Sequence, residues 1–203
     1  AVPAVAPWVQ RLEHWTADWR TALLSPAAAS PHSKIVLLAI TDETLKDYAS
    51  SPIDRGLLSR IVTAADQAGP KAIGLDVLFF KKTDEVKDAE LVSTLKTART
   101  PIVLGALDER GDLSPERRAF QTAFISEMGR KAGYLNLRIE KDGVVRYAAR
   151  PEASSAYPAS FARLVAEAGG VSGEDTGAPI RWTRPSPTTS SCEAASRTRR
   201  VTC

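Results

Sequence analysis

Apolar residues open the chain at helical spacing. Trp8, Leu12, Trp15, Trp19 and Leu23 follow one another at intervals of four, three, four and four, which puts them on one face and predicts an amphipathic helix. Tryptophans at that spacing are expected to pack on the domain rather than hold a cofactor, and His14 between them reads as a surface histidine. The stretch Ser25-Pro26-Ala27-Ala28-Ala29-Ser30-Pro31 breaks the helix. Ile35-Val36-Leu37-Leu38-Ala39-Ile40 then runs apolar on both faces, as a central parallel strand covered by helices would, and stops at Thr41-Asp42-Glu43.

Alternation continues. Asp54 is placed to cap a helix with Leu57, Leu58, Ile61, Val62 and Ala65 on its buried face, and Gly69-Pro70 ends it. A second strand is read over Ala72–Leu78, completing a βαβ unit. Asp88 is read as the cap of the next helix, with Leu91, Val92, Leu95 and Ala98, and Pro101 introduces a third strand over Ile102–Leu107. Ser114-Pro115-Glu116 opens a helix through Phe120, Phe124 and Met128. Tyr134–Arg138 and Val144–Ala148, flanking Lys141-Asp142-Gly143, read as a hairpin, and a last helix spans roughly 158–168. The result is an α/β fold, a mostly parallel central sheet flanked by helices, with a C-terminal antiparallel hairpin and the N-terminal amphipathic helix. Residues 1–33 are assigned to helix and linker, 34–170 to the α/β domain, and 171–203 to a low-order Ser/Thr/Arg-rich tail.

Charge changes the picture only by its location. The net +3 suggests nucleic acid until the tail is set aside: Arg181, Arg184, Arg197, Arg199 and Arg200 oppose only Glu193 there, leaving 22 basic against 23 acidic residues upstream. Nucleic-acid binding by the body therefore loses its electrostatic basis. Both cysteines, Cys192 and Cys203, also lie in the tail; they are spaced for a possible disulfide and do not resemble a zinc site. A cysteine-free body suits an oxidising compartment. No uninterrupted apolar run approaches the ~20 residues that cross a bilayer, so the chain as given reads as soluble. With Ala1 in place of an initiator methionine, any signal or anchor segment is expected upstream.

Ligands of open α/β sheets bind outside the carboxyl ends of the strands. Asp42 lies just past the first predicted strand and Asp76 near the end of the second. If those strands are neighbours, the two carboxylates share a crevice with Glu43 and Arg55 nearby. Such a set suits a cation, a polyol or an amine, or forms an internal ion pair. The competing reading has Asp42 and Asp76 capping loops, Asp54 and Asp88 capping helices, and Arg55 paired with a structural carboxylate. The sequence holds no G-x-S-x-G, His-Glu-x-x-His, Walker loop or G-x-G-x-x-G, and both histidines precede the body. No catalytic residue, metal or cofactor is assigned.

In order along the chain, IVLLAITD (Ile35–Asp42), PIDR (Pro52–Arg55), AGPKAIGLDVLFF (Ala68–Phe80), DAEL (Asp88–Leu91), PIVLG (Pro101–Gly105) and the Gly133–Arg146 stretch with its DGVVR together resemble the CHASE domain, type two. The likeness covers most of Trp8–Gly170. It implies an extracellular or periplasmic sensory domain of an inner-membrane receptor, with one membrane helix before it and several after. A nucleotide cyclase, histidine kinase or serine/threonine kinase output would lie outside this chain, with dimeric working. The family's ligand is undefined. Two departures stand out: many members have tryptophans around Pro-x-x-Arg where this chain reads Ser51-Pro52-Ile53-Asp54-Arg55, and the tail after Ile180 lacks a strand leading back to the membrane. Three functional readings follow: a sensor that binds a small molecule or ion, or responds to an envelope stimulus, and shifts the Trp8–Leu24 helix, a carboxylate-metal hydrolase using Asp42, Asp76 and Glu43, and a structural dimerisation module.

Overall fold

A computed structural model describes residues 7–26, 34–48 and 52–180. The Ala27–Pro31 breaker, His32, Ser51, and the tail with Cys192 and Cys203 lie outside the described residues. The chain divides into two units, Ala1–Ala39 with Arg181–Cys203, and Ile40–Ile180.

In the first unit, helix α1 spans Pro7–Leu24 as its periodicity predicts. The Trp15 and Trp19 rings, one turn apart, meet edge to face at 6.1 Å. The expected strand over Ile35–Ile40 is not formed, and Ile35, Val36, Leu37 and Leu38 remain 64–86% exposed. An apolar run states only what its side chains are able to bury, whereas a strand needs a neighbour with free N–H and C=O groups in register.

The second unit holds the sheet. Strands β1 (Ile73–Leu75), β2 (Ile102–Ala106) and β3 (Lys131–Tyr134) pair in parallel in that order. Ile73 stands opposite Ile102, and Val103 opposite Lys131. The chain reaches β1 through α3 (Arg55–Gln67), β2 through α4 (Glu85–Thr97) and β3 through α5 (Pro115–Met128). Each helix starts where its sequence supplies an acceptor. Asp54 accepts the Leu57 N–H at 2.9 Å, Asp84 that of Lys87 at 3.0 Å, and Ser114 that of Arg117 at 3.4 Å with Pro115 at the first helical position. Gly69 and Gly129 end α3 and α5 with φ of 68° and 65°, a region that favours glycine. Asp88 is thus not the cap of α4. Asp84 precedes it and takes that place, and Asp88 lies one turn inside the helix, buried.

Leu58 and Val62 of α3, Leu91, Val92 and Leu95 of α4, and Phe124, Ile125 and Met128 of α5 bury one face of the sheet through Leu75, Ile102, Leu104 and Ala106. Helix α6 (Phe161–Ala168), capped by Ser160, covers the other face. The approach is close: a Cβ on Gly74 would lie 2.8 Å from Phe161 Cζ, and one on Gly133 would lie 2.5 Å from Phe161 N.

The C-terminal hairpin is shorter than its sequence suggests. Gly133 and Tyr134 belong to β3 of the parallel sheet, and the hairpin arms are β4 (Arg138–Ile139) and β5 (Val145–Tyr147). An edge of β2 needed a partner, and glycine at 133 lets α6 reach that partner. Residues 178–180 run beside β5, with Ala148 N–H on Ala178 O at 3.0 Å and Ile180 N–H on Arg146 O at 2.9 Å. Arg146 clamps the hairpin by donating to Glu140 (2.7 Å) and to Asp142 (2.8 Å). Its guanidinium draws the Asp142 pKa from an ordinary 3.8 down to about 2. A depressed carboxylate contributes stability that is complete above its unfolded pKa and lost as pH falls through the folded one. Hairpin amides should therefore lose exchange protection between about pH 4 and pH 2, and Arg146→Gln should return the Asp142 carboxyl midpoint, read by NMR, to near 3.8. An unchanged midpoint in Arg146→Gln would remove the clamp from the account.

Candidate functional site

Because α3, α4 and α5 each run back against the strand that follows, their N-termini lie at the carboxyl ends of the strands. Asp76 sits one residue beyond β1, Asp108 two beyond β2, and Asn136 two beyond β3. The sequence points to this end through Asp76, and Asp108 and Asn136, each two residues past a strand, carry a signal of the same kind.

The four residues read from sequence separate. Asp42 does not follow a strand. Thr41 caps a short helix, α2 (Asp42–Asp47), in which Asp42 and Glu43 form the exposed first turn, favourably placed at the positive end of the helix. Asp76 is exposed as well. Neither Asp42 nor Asp76 accepts a hydrogen bond from a described side chain or backbone group. Among the described residues no hydrogen bond or ion pair joins Asp42, Glu43, Asp76 and Arg55. Nor do any three His, Cys, Asp or Glu side chains there group as a metal centre, which leaves the hydrolase reading without one.

Arg55 is different. It is the first residue of α3, its side chain has no solvent exposure, and its three guanidinium nitrogens make no hydrogen bond. Nε lies 3.4 Å from Asp88 Oδ1, an ion-pair distance, while Asp88 accepts the Thr83 N–H at 3.0 Å and the Thr83 hydroxyl at 2.7 Å. The guanidinium carbon stands 4.6 Å from the centre of the fully buried Phe79 ring, a cation–π contact worth about 2 kcal/mol where water is excluded. Burial pushes the Arg55 pKa below its ordinary value and Asp88 pulls the other way; an arginine stays charged regardless. Beside this pair, Lys87 donates to Asp54, holding the Asp54 carboxyl below the usual range, so two ion pairs tie the start of α3 to α4. Ser59 and Thr94 join the same two helices by a 2.8 Å hydroxyl contact.

The ends of β2 and β3 carry a second polar group, fully satisfied. Buried Asp108 accepts from the backbone N–H, Nε and Nη2 of Arg110, and its own N–H donates to Asn136 Oδ1 at 3.0 Å. Arg110 lies over the Tyr134 ring at 5.1 Å, and the Tyr134 hydroxyl donates to Ala149 O at 2.9 Å. Gln121, reaching in from α5 with no exposure, accepts the Leu107 N–H at 3.1 Å and donates to the Leu107 carbonyl at 2.8 Å. These groups fix the loops in place. Arg55 alone among the buried side chains described has polar atoms left unanswered.

The ordered motifs and the α/β body agree with a family model described as the CHASE2 domain, which matches residues 1–195. The chain belongs to the CHASE2 domain family. CHASE2 domains are extracellular sensory domains of signalling receptors and are not themselves catalytic. No curated protein and no solved structure matches this CHASE2 chain. No described helix is long and apolar enough to cross a membrane.

Proposed function

We propose that this CHASE2 domain is the periplasmic input of a bacterial inner-membrane receptor and that it binds a small ligand at the carboxyl end of its sheet. The observation that supports this most directly is Arg55, a buried cation without a hydrogen-bond partner at the end of the fold where α/β proteins hold ligands. Ligand binding alters the loops around Phe79 and Asp76, and the change reaches a cyclase or kinase output through membrane segments outside this chain, within a homodimer. A ligand drives such a change only through preferring one arrangement, by about 1–3 kcal/mol in typical coupling. A purely structural dimerisation module would leave the open guanidinium without a use.

Two measurements on the whole receptor test this. An alkaline phosphatase fused after Ile180 should be active, which requires export, and Arg55→Met should change receptor output while the exposed Lys71→Gln does not. An inactive phosphatase fusion with a well-expressed chain sinks the periplasmic reading; equal output from Arg55→Met and the unsubstituted receptor sinks the site.

A further inference from the structure

We infer that Arg55 anchors a site for a small monocarboxylate, whose two oxygens complete the guanidinium fork that the protein leaves open. The inference takes its physiological meaning from the sensory reading above and stands chemically without it. Buried polar groups are almost always paired, yet Nε, Nη1 and Nη2 of Arg55 all lack a hydrogen-bond acceptor while the side chain is wholly shielded from solvent. Asp88 does not meet that need. Its closest approach is to Nε, at 3.4 Å and short of a hydrogen bond, and each of its oxygens already accepts from Thr83. The two Nη groups remain.

Charge and shape then narrow the class. Arg55 with Asp88 is neutral, so a monoanion adds a single negative charge, whereas a dianion such as a phosphate monoester would add two within a few ångströms of the Asp88 carboxylate. Two coplanar acceptor oxygens matched to parallel N–H groups are the geometry of a carboxylate on arginine. The Phe79 ring against the guanidinium face supplies an apolar wall, which suits a small organic acid. With no solvent contact at the guanidinium, a carboxylate that reaches it has to part the side chains over it. Binding and rearrangement are then one event, as a sensor requires.

The test uses the full 203-residue chain and acetate as the probe. Thermal melts are run in sodium acetate, sodium chloride and sodium phosphate at matched ionic strength. Acetate at about ten times its dissociation constant should raise the melting temperature by roughly 3–6 °C over chloride, and the rise should saturate, whereas phosphate should give only the gradual unsaturating rise of an excluded salt. Arg55→Met should fold without any acetate response, and Arg55→Lys, which keeps the charge but not the fork, should lose most of it. If Arg55→Met fails to fold, Asp88→Asn decides the matter. Removing the competing anion should lower the acetate concentration for half effect by roughly threefold or more. The inference is overturned if acetate leaves the unsubstituted chain unchanged, if Arg55→Met responds as fully as the parent, or if Asp88→Asn leaves the half-effect concentration unaltered. It is also overturned if Asp42→Asn or Asp76→Asn destabilises the salt-free protein and abolishes the response, since the fork would then be filled by the chain's own carboxylate. No acetate effect in a receptor that still signals rejects this inference and spares the sensory reading. Acetate binding with no change in receptor output does the reverse.

Discussion

Gly133→Ala should lower stability by about 3 kcal/mol, a fall of roughly 6–12 °C in melting temperature for a chain of this size. The added Cβ would lie 2.5 Å from Phe161 N, 2.7 Å from Phe161 Cα and 2.7 Å from the Ser160 carbonyl carbon. All three are backbone atoms at the start of α6, so no rotamer change relieves the contact. The helix has to retreat from the sheet, stretching the bond from Tyr134 N–H to Ala159 O, now 3.1 Å. Gly74→Ala is the informative companion. Its new methyl would meet Phe161 Cζ at 2.8 Å and Val165 Cγ2 at 2.9 Å, side-chain atoms that have room to adjust, and it should cost less. Calorimetry of both variants checks the pair, and a Gly133→Ala protein melting within 2 °C of the parent would contradict the close packing of α6.

Phe79→Ala should cost about 3–5 kcal/mol, read as a lowered urea midpoint, because a fully buried ring leaves a cavity that its surroundings fill only in part. Phe79 packs against Phe124 with centroids 5.4 Å apart, and Phe124 in turn stacks on Phe120 at 5.2 Å. The variant also removes the face on which the Arg55 guanidinium rests. A double-mutant cycle with Arg55→Met separates the two effects: Phe79→Ala should cost about 1–2 kcal/mol less in the Arg55→Met background. Strict additivity would show that the guanidinium and the ring do not interact.

Helix positions were the most legible feature of the sequence, since their signals are local. Asp54, Ser114-Pro115 and Gly69 mark ends that depend on one or two residues, and α3 and α5 start where these place them. Asp84 and Asp88 show the limit of that logic. Both stand where an aspartate caps helices, and the one reached first by the chain took the role. Strands were less legible because pairing is settled elsewhere in the chain. Ile35–Ile40 has the composition of a buried strand without a ladder, whereas Lys131–Tyr134, with no such composition, is in the sheet because β2 offered an edge. The candidate site divided along the same line. The place of Asp76 just past β1, at the carboxyl end of the sheet, was readable from strand position alone. Arg55 was named for its charge, but its burial could not be read, since arginine is among the residues most often exposed and it is the packing of α3 on α4, with the Phe79 ring, that encloses it.

Gln121 has a consequence for how this fold varies. Its carboxamide offers the end of β2 the same pair of donor and acceptor that an adjoining strand would, so Leu107 is satisfied without help from the segment after β1. That segment, from Asp76 onward, is therefore released from sheet bonding at the level of Leu107. What holds it in place is the burial of Phe79, so exposed positions such as Asp76 can change without unravelling the central strand as long as that ring stays in the core.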